Sequence, residues 1–284
     1  MTTDTRFSIH LDDVIRHIRD LPTLPEVAQE LLAELDNDEN NLDLINEKIS
    51  MDHSLTAKVL RLANSSHYGM NSRVVTVQQA TSLLGVKSIK NLIRTTILAN
   101  RFPPTPCEGF DFRVFWRHSI ATAICAELIS RALHMKHDFA FTAGLLHDIG
   151  RLVLVISYPD RYAAAIQYRN MHDCYMLDAE RTILQVDHIE AGVALAQQWH
   201  FADAVQDAIR GHHQPEIPGI HSLASVIHVA DAITHALDLS EDQNDLVPTL
   251  SKRAWDTLAL SETEYLAIFK ETEMRVEAVN QILT

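Results

Sequence analysis

Five histidines and two aspartates carry the clearest capacity for chemistry in this chain: His118, the adjacent pair His147-Asp148, His188, the pair His212-His213, and Asp231. Imidazole and carboxylate together suit divalent transition metals such as Fe, Mn or Zn. The three cysteines, Cys107, Cys125 and Cys174, are scattered, so a thiolate-type structural zinc site is not expected. His147-Asp148 closes the apolar run 140–146 and leads into Ile149-Gly150-Arg151. An imidazole and a carboxylate facing a core need compensating partners, and a cation is one such partner. Asp231 raises the same question, because it lies in the apolar stretch 226–233.

Taken singly, each residue has a plainer reading. Asp148 can pair with Arg151, and Asp231 with His228 or His235 about one turn away. His118 can be a satisfied core histidine, His188 a helix cap or surface imidazole, and His212-His213 a solvated turn. Adjacent histidines face one site only where the backbone leaves regular helix, which Gly211 and Pro215 favour. Jointly the plain readings require chance at every position in order. With 16 His in the chain, some accidental arrangements are expected. His10, His17, His53, His67, His134, His137, His172, His200, His221, His228 and His235 receive no role. Trp116 and Trp199 read as core aromatics.

The elements that must position these groups read as helices. Only 8 Gly and 9 Pro in 284 residues argue for long helices over many turns. Thr23 caps a helix entered through Pro25, with Val27, Leu31 and Leu35 on one face and a polar break over 36–41. A helix after Asp52 buries Leu55, Val59 and Leu62. Thr76 and Gln79 form a capping-box pattern, Gly85 suits the C-cap, and Ser88 caps the next helix. Residues 102–109, rich in proline, form a connector, and 240–248 an acidic loop. Ser261 and Glu264 form a second capping box, followed by Leu266, Phe269, Val276 and Val279 on a final helix.

The formal net charge of -14 disfavours nonspecific binding to nucleic acid or anionic membrane. The odd, scattered cysteines fit a reducing cytoplasm. The N-terminal residues are polar, without a charged-then-apolar leader. No apolar run is expected to reach the roughly 20 residues that span a bilayer.

The order His118, His147-Asp148, Asp231 resembles the HD superfamily of metal-dependent phosphohydrolases. His188, His212 and His213 resemble the extended ligand set of its HD-GYP branch, the cyclic di-GMP phosphodiesterases. The N-terminal half is similar to the HDOD (HD-related output) domain. The segments that carry this similarity are Leu21-Pro22-Thr23-Leu24-Pro25, the run 54–66 (Ser54 to Ser66) and Ala80-Thr81-Ser82-Leu83-Leu84-Gly85. The similarity covers roughly residues 10 to 240. Two departures separate the chain from the HD-GYP branch: 214–219 (Gln214 to Gly219) stands where that branch has GYP, and Arg151 where it has lysine.

This resemblance implies an all-α fold, an HD-domain-like multi-helix bundle with an N-terminal helical subdomain. The expected segments are an N-terminal helical part over 1–106, an HD-like core over 107–240 and a C-terminal loop and helix over 241–284. It also implies a bacterial signal-transduction module acting through a signalling protein partner or a nucleotide ligand. The implied cofactor is one or two transition-metal ions. A core ion would be held by His118, His147, Asp148 and Asp231, and a second by His188, His212 and His213, with Asp148 bridging. The alternative is a metal-dependent phosphohydrolase in which Asp148 and Arg151 are the catalytic side chains, Arg151 clamping a substrate phosphate.

Overall fold

Thr76 starts its helix by the reciprocal bonding its sequence predicts. Its hydroxyl accepts the Gln79 N–H at 3.2 Å, and the Gln79 side-chain oxygen accepts the Thr76 N–H at 3.3 Å. Gly85 ends that helix at φ +78°, its N–H donating to the Thr81 carbonyl, a conformation that suits a residue without Cβ. The same glycine opens the next helix, which begins at Val86. Ser88 therefore lies inside that helix and is not its cap. The expected Ser261–Glu264 box is present, with the Glu264 carboxylate accepting the Ser261 N–H at 2.7 Å.

The computed structural model describes residues 8–20, 45–46, 49–50, 53–65, 74–135, 139–242, 244 and 246–283. The helix expected from Thr23 and Pro25, the break over 36–41 and the Leu21 to Pro25 motif lie outside them. Among the described residues the fold is all-α, with no strand. The helices are α1 (Leu11–Asp20), α2 (His53–Ala63), α3 (Val77–Leu84), α4 (Val86–Ala99), α5 (Phe112–Ala132), α6 (Phe139–Leu146), α7 (Ile149–Ser157), α8 (Pro159–His172), α9 (Met176–Ile183), α10 (His188–Gln198), α11 (Asp203–Gly211), α12 (Leu223–Ala236), α13 (Lys252–Leu258) and α14 (Glu262–Leu283).

These helices divide into two compact units. One gathers Met1–Thr23 and Phe102–Phe269, the other Leu24–Arg101 and Lys270–Thr284. The units interleave along the sequence, where consecutive blocks ending at 106 and 240 had been expected. The reason is local: α14 contributes to both, and residues 241–269 go with the larger unit.

In the smaller unit Leu55, Val59, Leu62, Val77, Leu84, Ile89 and Ile93 form a buried core with Ala278. Asn64 closes it. Its side-chain amide donates to the Val74 carbonyl and accepts the Val74 N–H, both at 2.8 Å, pairing with a backbone as a strand would. Replacing Asn64 thus tests the folding of this unit before it tests any partner. On α14, Val276 is buried and Leu266 is 58% exposed.

In the larger unit α5 packs on α6 and α12, and α7 packs on α10. Two glycines permit these approaches. A Cβ at Gly144 would stand 2.6 Å from Ala123 Cα on α5, and one at Gly150 would stand 1.9 Å from the His188 carbonyl oxygen on α10. Between them α6 and α7 bury Leu145, Leu146, Ile149, Leu152, Val153 and Leu154, each contributing about 1.5–3 kcal/mol of apolar transfer. The stretch Phe139–Ser157 is 19 residues long and, by length and composition, apolar enough to cross a membrane. That overturns the expectation that no run reaches this length. In the fold 83% of it is buried, and it breaks into α6 and α7 at His147-Asp148.

Candidate metal centre

His147 and Asp148 lie in the turn between α6 and α7, not on one regular helix. The break lets two adjacent side chains serve different neighbours. His147 turns toward His118 on α5 and Asp231 on α12. His118 Nε2 lies 3.1 Å from His147 Nε2 and 3.1 Å from Asp231 Oδ1, and His147 Nε2 lies 3.5 Å from that same oxygen. Asp148 turns toward His188, the first residue of α10, and His212, just past the end of α11. Its Oδ1 is 3.3 Å from His188 Nε2 and 3.6 Å from His212 Nε2, and His188 Nε2 is 3.1 Å from His213 Nε2. The seven side chains thus form two sets, His118–His147–Asp231 and Asp148–His188–His212–His213, each with its donor atoms within 4.8 Å of one another. Asp148, expected in both, groups with the second set and approaches the first through His147 Nε2 at 3.9 Å.

The plain readings fare unevenly. Asp148 does pair with Arg151, at 3.1 Å, and Asp231 with His235, at 3.3 Å. His188 is neither a cap nor a surface group: Asp187 caps α10 with Glu190, and His188 is 2% exposed. Helix α11 ends at Gly211, so His212 and His213 leave the helix as their neighbours suggested.

Surrounding groups fix the tautomers. A carbonyl oxygen only accepts, so His147 Nδ1–H donates to Gly144 O at 2.7 Å and His212 Nδ1–H to Ile209 O at 2.8 Å. The Glu180 carboxylate accepts from His188 Nδ1 at 2.6 Å and from the His188 N–H at 2.8 Å. In each neutral ring Nε2 then presents a lone pair, aimed at other lone pairs or a carboxylate. His212 Nε2 and Asp231 Oδ1 are buried without a properly directed hydrogen bond. Lone pairs converging in a dry site repel unless a cation lies among them. Donors sharing one ion at about 2.1 Å stand about 3.0–3.4 Å apart, which the shortest separations here match. The donor set fits a transition-metal ion in each group.

Sequence reasoning missed the groups that hold this set. Arg151 donates from Nε to the Tyr162 hydroxyl at 3.1 Å, and Tyr162 donates to Glu180 Oε1 at 2.8 Å. A buried chain therefore runs Asp148–Arg151–Tyr162–Glu180–His188. His228 donates from Nδ1 to the His212 carbonyl at 2.7 Å and accepts the Ser251 N–H at 2.8 Å, anchoring the histidine pair. Glu180 lies on α9 and His188 opens α10, so no single helical period linked them in the sequence.

The HDOD domain family model matches residues 21–215. The chain belongs to the HDOD family. Among curated HDOD-chain relatives, an uncharacterized protein of Treponema pallidum (strain Nichols) is 29% identical over 244 residues, 84% of this chain and 46% of that protein. The chain thus spans about half the length of that relative. Among solved structures, a protein of Shewanella amazonensis SB2B, provisionally described as a phosphohydrolase, has a TM-score of 0.66 and 26% identity. The alignment covers 95% of this HDOD chain and 96% of that one. A protein of Marinobacter aquaeolei VT8, provisionally described as a signal transduction protein, has a TM-score of 0.75 at 22% identity, covering 98% of this chain and 68% of that one. It shares the HDOD fold.

The electrostatics of the HDOD core suit a cation. Burial opposes ionisation of Asp148, but His147 and His188 hold its carboxyl well below the usual carboxylate range. Asp231 is held down likewise, by His235, His118 and His147 against burial. Burial pushes His118 and His212 down, and drives His213 to about 2 with help from His212 and His188. Two are pushed the other way: against burial, Asp148 and Asp231 raise His147, and Glu180 and Asp148 raise His188 to about 9. One proton at His188 therefore competes with any ion in the second set.

A cavity of about 150 Å³ opens onto both sets. His118, Asp148, His188, His213 and Asp231 line one end, with Arg151 and Arg169 beside them, and Phe110, Ile166, Met176 and Leu246 line the apolar remainder. The acidic loop over 240–248 supplies one wall. It is held by Arg117 on Glu241, Arg169 on Asp242 and the Asn244 carbonyl, and the Tyr175 hydroxyl on the Val247 carbonyl.

Proposed function

We propose that this HDOD chain is a signalling module whose HD-type core holds two divalent transition-metal ions (Fe, Mn or Zn) and binds a phosphate-bearing small ligand, such as a nucleotide, in the cavity beside them. The supporting observation is the convergence of seven ligand-type side chains, six of them buried and His213 partly so, on two adjacent sets. His118, His147 and Asp231 would hold one ion; Asp148, His188, His212 and His213 the other. Without cations the two ionised carboxylates repel a phosphate; with cations the same end of the cavity attracts one. Arg151 orients Asp148 and stacks its guanidinium over the Phe110 ring at 5.9 Å. The smaller unit carries none of the seven residues, which suits an output role toward a signalling partner.

A metal-dependent phosphohydrolase is the second reading, favoured by Asp148 lying within reach of both sets. Bound there, a pair of divalent ions supplies Lewis acidity for transfer of a phosphoryl group to water. Asp148 would hold the two sets in register, Arg151 would steady Asp148, and the apolar wall would exclude bulk water. The discriminating experiment mixes metal-loaded protein with a panel of linear and cyclic nucleotides. Thermal shift without phosphate release supports the sensing reading, release lost on Asp148→Ala supports hydrolysis, and neither response overturns ligand binding altogether.

The His188 proton gives ion uptake a pH signature. An ion taken through His188 Nε2 must displace a proton held with a pKa of about 9. Affinity of the second set is expected to rise about tenfold per pH unit from pH 7 to 9. The metal-free fold has the opposite sign. Its stabilisation from charged His188 is complete below the unfolded value of about 6.5 and lost as pH rises through 9. The thermal stabilisation by added ion should therefore grow over this window; a flat or falling increment contradicts the role of His188.

A further inference from the structure

Helix α8 turns one face to the cavity: Ile166 and Arg169 line it, and Tyr162, one turn before Ile166, holds Arg151. Arg151 and Arg169 are the arginines among the described residues of the lining, which include no lysine. Arg151 is already committed, to Asp148 and to the Tyr162 hydroxyl. Arg169 is committed far less. Its Nη2 donates to the Asn244 carbonyl, while its Nη1 stands 3.8 Å from Asp242 Oδ2, beyond hydrogen-bond reach. Arg117, which does not line the cavity, shows what a full clamp on this loop looks like: its two Nη atoms meet both carboxylate oxygens of Glu241. A guanidinium carries five N–H donors, so Arg169, with one carbonyl as acceptor, keeps donors to spare. Its side chain is 12% exposed and lines the cavity together with Asp242.

We infer that Arg169 binds a second anionic group of the cavity's ligand, which makes that ligand a diphosphate rather than a single phosphate, and that Asp242 is the carboxylate this group displaces. This rests on the ligand reading above, in which the ions hold one phosphate. A planar guanidinium fork matches two phosphate oxygens. The cavity measures about 150 Å³, with the ligand sets at one end and Arg169 beside them. The second anionic group must therefore sit next to the first, and two phosphates sharing one bridging oxygen meet that condition. Asp242 exchanges readily because it makes an ion pair without a hydrogen bond. In the ligand-free cavity it balances the charge of a largely buried guanidinium, which is costly to leave uncompensated. The loop does not depend on this pair, since Arg117 on Glu241, Arg169 on the Asn244 carbonyl and Tyr175 on the Val247 carbonyl hold it as well.

The test titrates full-length, Mn(II)-loaded wild type, Arg169→Gln, Asp242→Asn and the double variant with inorganic phosphate and with pyrophosphate, by calorimetry. Ion content is measured before and after each titration, which separates anion binding from stripping of metal, and circular dichroism follows the fold. Wild type is expected to prefer pyrophosphate. Arg169→Gln should weaken pyrophosphate about tenfold or more, the worth of a charge-assisted hydrogen-bonded pair, and leave phosphate little changed. Asp242→Asn should strengthen pyrophosphate more than phosphate, and that gain should vanish in the double variant. A mere tether has the opposite sign: Asp242→Asn would loosen the loop and weaken both anions. Equal weakening of both anions in Arg169→Gln, or no gain for pyrophosphate in Asp242→Asn, overturns the role of Arg169 and leaves the ligand reading standing. A wild type that takes up no ion, or binds neither anion with its ions in place, overturns the ligand reading and this inference with it.

Discussion

Replacing Gly150 by alanine is expected to dismantle the second ligand set while leaving every ligand in the sequence. The added Cβ would stand 1.9 Å from the His188 carbonyl oxygen, 2.6 Å from Gly192 N and 2.8 Å from the His188 carbonyl carbon. All three are backbone atoms, so no rotamer change relieves the overlap. Helices α7 and α10 must separate, and they carry the residues that place Asp148 against His188. Overpacking of this kind costs about 3 kcal/mol or more, roughly 6–12 °C in melting temperature. Ion content should fall with it, to about one per chain. A Gly150→Ala protein that melts within a degree or two of wild type with full ion content contradicts the helix approach described here.

The second large effect is expected at Asp148. Its carboxylate is 3.1 Å from Arg151, 3.3 Å from His188, 3.6 Å from His212 and 3.9 Å from His147. Asp148→Ala removes the only carboxylate of the second set and takes from Arg151 its ion-pair partner, leaving it the Tyr162 hydroxyl. Loss of one member of a buried charge pair costs about 3–5 kcal/mol. In metal-loaded protein the second ion should be lost as well. Added ion should raise the melting temperature of Asp148→Ala less than that of wild type, because the second set no longer takes one up. Equal ion-induced shifts for wild type and Asp148→Ala would contradict the ligand assignment.

Much of this site could be read before the fold was seen, because its ligands are chemically unusual where they stand. Asp231 within an apolar helix and His147-Asp148 at the end of an apolar run announced themselves. Their partition into two sets could not be read, because it follows from the turn that breaks α6 from α7 at those residues. The supporting groups stayed hidden for a different reason. Glu180, Tyr162 and His228 become relevant through helix approaches that Gly150 and Gly144 permit, and distance between helices leaves no period in the sequence. His235 was read as a plain partner for Asp231, one turn away, and stands 3.3 Å from its carboxylate. At the helix ends, Thr76 and Ser261 behaved as local chemistry dictates, while Ser88 lost its cap to Gly85.

The central claim is that the HDOD core is built around metal. Elemental analysis of the full chain, purified without an affinity-metal column and then exposed to Fe(II), Mn(II) or Zn(II) at pH 8–9 and desalted, tests it most directly. About two transition-metal ions per chain, removed by chelator with a fall in melting temperature, is the predicted result. A chain that retains no ion under these conditions, and melts identically with and without chelator, would contradict it.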